Sequence, residues 1–251
     1  MRRGEALHTS TIGGVWHEVV GTQPHPSWWL VGVTGVVALV AVSVRSVWHP
    51  LRNVVTIAHE GGHAFAALVT GRQLQGIRLH SDTSGVTVSR GRPYGPGMIV
   101  TASAGYVTPP LLGLGAAGLL AAGHITALLW ASIVLLAAIL VMVRNAYGVV
   151  SVVTTGAVIF AVSWYGSATV QAAFAYAFTW FLLLAGARPV VELQSKRSRG
   201  RAPDSDADQL ARLTGMPGLL WVFGFGVVAV AALLAGGSWL LPDTMPRLPG
   251  W

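Results

Sequence analysis

From Pro93 to Val143 the chain carries no Asp, Glu, Lys or Arg. A run that long is not one buried helix of a soluble domain, because at 1.5 Å per residue about 20 residues already cross a bilayer's hydrocarbon. It holds two membrane helices, broken near Gly123-His124. Other apolar runs repeat the pattern, giving about seven expected spans, near 28–47, 53–70, 98–121, 125–142, 146–163, 168–187 and 216–240. The sequence as a whole agrees, with 53% hydrophobic and 10% charged residues, where soluble domains carry about a quarter charged. The expected fold is an all-α polytopic membrane protein seated in a lipid bilayer.

Charge then bears on topology. The net charge of +7 does not point to nucleic acid, because the arginines fall in short loops and form no folded basic face. Seven spans put Arg45, Arg52 and Arg247 on one side and every other basic residue on the opposite side. The positive-inside rule then gives a cytoplasmic N-terminus and an external C-terminus, with the plasma membrane as the expected location. Residues 1–27 read as a cytoplasmic tail with exposed His8, His17 and His25, and no cleaved signal peptide is expected. Residues 28–241 form the membrane domain, with a basic cytoplasmic loop at 188–212, and 242–251 are a C-terminal tail. The sequence holds no cysteine, which excludes thiol catalysis and Cys-ligated zinc.

Within the second span lies His59-Glu60-Gly61-Gly62-His63. Residues i and i+4 share a helix face, so both imidazoles reach one metal ion. Glu60 sits beside that ion, where a carboxylate can take a proton from water. Ionisable groups at membrane depth are costly and mark function. Gly61, Gly62, Ala64, Ala66 and Ala67 keep the helix slim enough for close neighbours.

Residues 73–92 differ from their surroundings. Gln73–His80 and Gly85–Arg90 alternate in polarity around a Ser81-Asp82-Thr83-Ser84 turn, which predicts a short β-hairpin directly after the H-E-x-x-H helix. Its unpaired edge would accept an extended peptide as an added strand.

Several elements now occur in a meaningful order: His59-Glu60-Gly61-Gly62-His63-Ala64, Gly71-Arg72, the strand pair with Gly85-Val86, and Ala104-Gly105-Tyr106. Arg144-Asn145-Ala146-Tyr147-Gly148 and Ser205-Asp206-Ala207 follow. Together they resemble the M50B-like peptidase family of the site-2 protease clan, over roughly residues 53–225. The resemblance implies a zinc-dependent membrane metalloprotease that cleaves peptide bonds in or near transmembrane segments. Its partner would be a membrane-protein or peptide substrate, contacted by Gly85, Val86 and Asn145. His59 and His63 would bind zinc, with Glu60 as general base.

The chain departs from the clan in lacking a Leu-Asp-Gly motif for a third ligand, and zinc sites ordinarily use three protein ligands plus water. Asp206 is the favoured third ligand because Ser205-Asp206-Ala207 resembles the family motif. Asp208 and Asn145 remain alternatives, and the 204–206 segment also suits a helix N-cap. Tyr106, Asn145 and Tyr147 are candidate oxyanion donors. Two rival readings stand beside the peptidase: a non-catalytic scaffold on the same fold, and an ion-coupled transporter. No internal repeat supports the transporter.

Overall fold

The computed structural model describes residues 19–241. The expectations for His8, His17, Arg247 and the C-terminal tail lie outside these residues.

Helix α1 (Trp28–Ser43) is followed by α2 (Arg45–Val69), strands β1 (Gln73–Leu79) and β2 (Gly85–Arg90), and α3 (Pro96–Ala121). Then come α4 (Ile125–Met142), α5 (Ala146–Tyr165), α6 (Ala168–Arg197), the short α7 (Asp206–Thr214) and α8 (Gly218–Leu240). Five of these, α3, α4, α5, α6 and α8, are long and apolar enough to cross a membrane. Their limits follow local chemistry. Gly123, at φ +77°, ends α3 before His124, and the Ser167 hydroxyl accepts from Val170 N at the start of α6, relieving one unpaired helix amide.

The expected seven spans are not found among the described residues. Val44 is extended between α1 and α2, and these helices meet at a bend of 98°, so together they make at most one broken crossing and six in all. The elbow is held by charge. Arg52 Nη2 lies 3.5 Å from Glu192 Oε2, while Glu192 Oε1 accepts from Trp48 Nε1 at 3.0 Å and Arg188 Nε at 3.1 Å. Arg52 therefore lies on the same side as Arg188, not on the opposite side as the seven-span cut required.

Packing fixes the helix directions. Ala102 of α3 clusters with Val222 of α8 and with Val190 and Leu193 of α6. At the other end, Ala117 and Leu120 cluster with Ala232 and Leu240 of α8 and with Ala172 and Ala175 of α6. Helices α3 and α8 thus run parallel, with α6 antiparallel to both. Helix α1 runs with α6, since Val31 joins the cluster of Ala172, and Ala38 and Val42 join that of Phe181 and Ala185. Gln23 N donates to Gly123 O at 2.7 Å. Both ends of the described chain, near Gln23 and Leu240, therefore lie at one end of the bundle.

The β-hairpin forms as alternation predicts, antiparallel with a register shift near Gly76. Asp82 Oδ1 accepts from Ser84 N and Ser84 Oγ, an Asx-type closure of the turn. Arg144 N donates to Ile77 O, and the Asn145 amide both accepts from Leu79 N (3.1 Å) and donates to Leu79 O (2.7 Å). This side chain copies a backbone partner along β1, leaving β2 as the edge with no strand partner among the described residues.

Candidate metal centre

Helix α2 turns His59 and His63 toward α3 and Glu60 toward β2. Their close approach depends on glycine. A Cβ on Gly62 would meet the Thr108 side chain and the Ala104 carbonyl, and one on Gly105 would fall on both imidazoles. Gly105 is therefore the cradle in which the two rings meet. His63 Nδ1 lies 2.7 Å from Thr101 O; a carbonyl only accepts, so Nδ1 carries the proton and Nε2 presents a lone pair. Tyr106 sets its ring edge-on to His59 at 4.8 Å and stacks on Phe225 at 5.1 Å.

Asp206 arrives from far along the chain. Ala207 and Leu210, fully buried, key α7 into the cluster of Ala102, Val190 and Phe225. Ser205 is the N-cap, accepting from Asp208 N, which leaves Asp206 as the first helical residue, aimed at α2. Its Oδ2 stands 3.3 Å from Nε2 of His59 and 3.3 Å from Nε2 of His63. The two Nε2 atoms are 3.1 Å apart.

These separations test the fit of a metal. A tetrahedral zinc with bonds of about 2.0–2.1 Å holds its donors about 3.3–3.4 Å apart. The triangle of 3.1, 3.3 and 3.3 Å is close to one face of that tetrahedron. Two neutral imidazoles and one carboxylate also form a donor set that catalytic zinc accepts.

Of the three candidates for the third donor, only Asp206 meets the histidines. Asp208 turns away, taking Arg197 Nε and Nη2 on its carboxylate and the Ser205 hydroxyl at 2.6 Å. Asn145 is committed to Leu79. Tyr147 pairs with Asn53.

Sequence reasoning missed the seat around Glu60. Thr87 Oγ1 donates to Glu60 Oε2 at 2.7 Å. A Cβ on Gly85 would lie 2.7 Å from Glu60 Oε1. The hairpin tip is pinned to the same helix, as Arg52 Nη1 donates to Thr83 Oγ1 (3.0 Å) and Thr56 Oγ1 donates to Thr83 O (2.9 Å). Thr83 is buried and left-handed at φ +65°, an uncommon state for a β-branched residue. The signals were the stripe Arg52, Thr56, Glu60 at helical spacing and the alternation Gly85, Thr87 on the strand.

Residues 32–236 match the family model described as Peptidase M50B-like, so the chain belongs to that family. Comparison with curated proteins and with solved structures gave no match.

Proposed function

We propose that this member of the Peptidase M50B-like family is an intramembrane zinc endopeptidase, with His59, His63 and Asp206 as ligands and Glu60 as general base. The observation that carries the reading is the triangle of donor atoms 3.1, 3.3 and 3.3 Å apart, with an acidic residue adjacent on the same helix. Zinc, when bound, would supply Lewis acidity toward water and the scissile carbonyl. Glu60 then takes one proton from the attacking water at its carboxylate. The water oxygen bonds to the carbonyl carbon, the C–N bond breaks, and Glu60 returns the proton to the leaving amine. The 4% exposure of Glu60 keeps bulk water from competing for it.

Strand β2 is suited to present the substrate. His80 N donates to Ser84 O, so hydrogen-bonded pairs in this hairpin fall at 80/84, 78/86 and 76/88. The backbone groups of Gly85 and Thr87 then point away from β1, toward the free edge and beside Glu60. An extended peptide added there would meet these two residues, with Val86 facing outward. Asn145 supports this edge indirectly, by holding β1 from its other side.

The site is proposed to face the cytoplasm. Arg72, Arg78, Arg90, Arg92, Arg144, Arg188 and the basic residues 196–212 cluster at its end of the bundle, as the positive-inside rule requires of a cytoplasmic face. The plasma membrane remains the proposed location.

The test uses the full chain in detergent, loaded with zinc, and a quenched single-span model peptide whose helix is interrupted by Gly-Ser. Wild type cleaves it, while Glu60→Gln retains about one zinc per chain and does not. Zinc without cleavage in wild type would instead favour the scaffold reading.

A further inference from the structure

We infer that Thr87 is the positioning residue for Glu60, and that the hairpin divides the labour of the two carboxylate oxygens. The inference rests on reading Glu60 as the base. A glutamate has three rotatable side-chain bonds, so a useful base needs something to hold it. Helix α2 fixes only its Cα. Thr87 supplies the rest: its hydroxyl has one proton, and Glu60 Oε2 at 2.7 Å is a closer acceptor than Glu60 O at 3.1 Å. Among the described residues no other group hydrogen-bonds this carboxylate.

Oε1 is left to act. It accepts no hydrogen bond from the described residues, and it lies where a side chain on Gly85 would intrude, 2.7 Å from the position of a Cβ there. Gly85 is thus required for space, whereas Thr87 is required for its hydroxyl. The strand holding both cannot drift from the helix, because Thr83 two residues before Gly85 is bonded to Arg52 and Thr56. Arg52, Thr56 and Glu60 succeed one another along a single face of α2 at four-residue spacing. Three contacts along that face therefore fix the hairpin against the helix, the last of them on the base itself.

A positioning hydroxyl makes predictions that a merely packed threonine does not. With the zinc-loaded full chain and the quenched single-span peptide, Thr87→Val should lower kcat about 10- to 100-fold, as expected for losing a hydrogen bond to a charged group. KM should stay within about twofold and zinc at about one per chain, because neither substrate edge nor ligand changes. Thr87→Ser should recover kcat to within about threefold of wild type, since it restores the donor but not the methyl. Gly85→Ala should lower kcat with zinc retained. Should Thr87→Val not fold, Thr87→Ala against Thr87→Ser makes the same comparison. Wild-type kcat in Thr87→Val, or equal loss in Thr87→Ser, overturns the inference while leaving Glu60 as base. Cleavage surviving in Glu60→Gln overturns the reading of Glu60 itself.

Discussion

Arg197, at the end of α6, places its guanidinium on both carboxylate oxygens of Asp208, with Nη2 to Oδ1 at 2.6 Å and Nε to each oxygen at 3.1 Å. Asp208 lies two residues beyond Asp206. The clamp fixes the first turn of α7, and so the direction in which Asp206 is aimed. Outer partners that orient metal ligands are worth about 10- to 100-fold in metal affinity. Asp208→Asn and Arg197→Ala should each weaken zinc binding by about that factor, without removing a ligand. Competition with a zinc-chelating dye measures it; unchanged affinity would mean that burial of Ala207 and Leu210 alone positions Asp206.

The same clamp has a definite pH dependence. Its hydrogen bonds from Arg197 hold the Asp208 carboxyl below the usual carboxylate range. A carboxyl depressed in the folded state stabilises fully above its unfolded pKa of about 3.9 and loses that contribution as pH falls through the lower folded value. The difference in melting temperature between wild type and Asp208→Asn should be constant from about pH 5 upward and shrink below about pH 4. A difference that changes between pH 6 and 8 would assign the dependence to another group.

Zinc stoichiometry separates the ligands from their neighbours. His59→Ala, His63→Ala and Asp206→Ala should each bring bound zinc from about one per chain to near zero by elemental analysis. Asp204→Ala should leave it unchanged, because that side chain is 92% exposed and only approaches Arg212 at 3.8 Å. Zinc retained in Asp206→Ala would move the third donor elsewhere.

Much of this could be read in the sequence, and what could not has identifiable causes. Helices α3, α4, α5 and α8 were legible because their apolar runs end at polar or glycine breaks. The hairpin was legible because period-two alternation is local. The elbow was not: His49, Pro50 and Arg52 read as a loop between two spans, while in the structure they are helical, with Arg52 paired to Glu192 more than a hundred residues away. The last turns of α6 were hidden for the same reason, since Arg188, Lys196 and Arg197 resemble a basic loop. The pair His59 and His63 was visible as a candidate metal site from i, i+4 spacing alone. Its meeting with Asp206 depends on α7 docking against α3, α6 and α8, and only the family motif pointed to it.

Two glycines on the α2–α3 contact should behave differently. A Cβ on Gly105 falls on the ring nitrogens of His59 and His63, so Gly105→Ala should displace the ligands and abolish zinc binding. A Cβ on Gly62 falls instead on the Thr108 side chain and, at 2.9 Å, on the Ala104 carbonyl. Gly62→Ala should force the helices apart, costing about 1–3 kcal/mol of stability as overpacking does. Melting curves beside zinc content distinguish them: Gly105→Ala loses metal at a modest cost in melting temperature, and Gly62→Ala loses melting temperature first.

If α1 and α2 together make one bent span, the crossings number six, and this has a direct test, because the sequence contains no cysteine and any introduced thiol reports one position. Ser27 precedes α1 at the end of the bundle that holds Gly123 and Leu240, whereas Ser198 follows α6 at the end that holds Asp206. In intact cells a membrane-impermeant maleimide should label Ser27→Cys and leave Ser198→Cys unlabelled until the membrane is opened. Ser167→Cys, at the start of α6, should label with Ser27→Cys. Labelling of Ser198→Cys in intact cells would turn the site to the external face, against the positive-inside rule. Labelling of Ser27→Cys and Ser167→Cys from opposite sides would restore separate crossings for α1 and α2 and overturn the bent pair as one span.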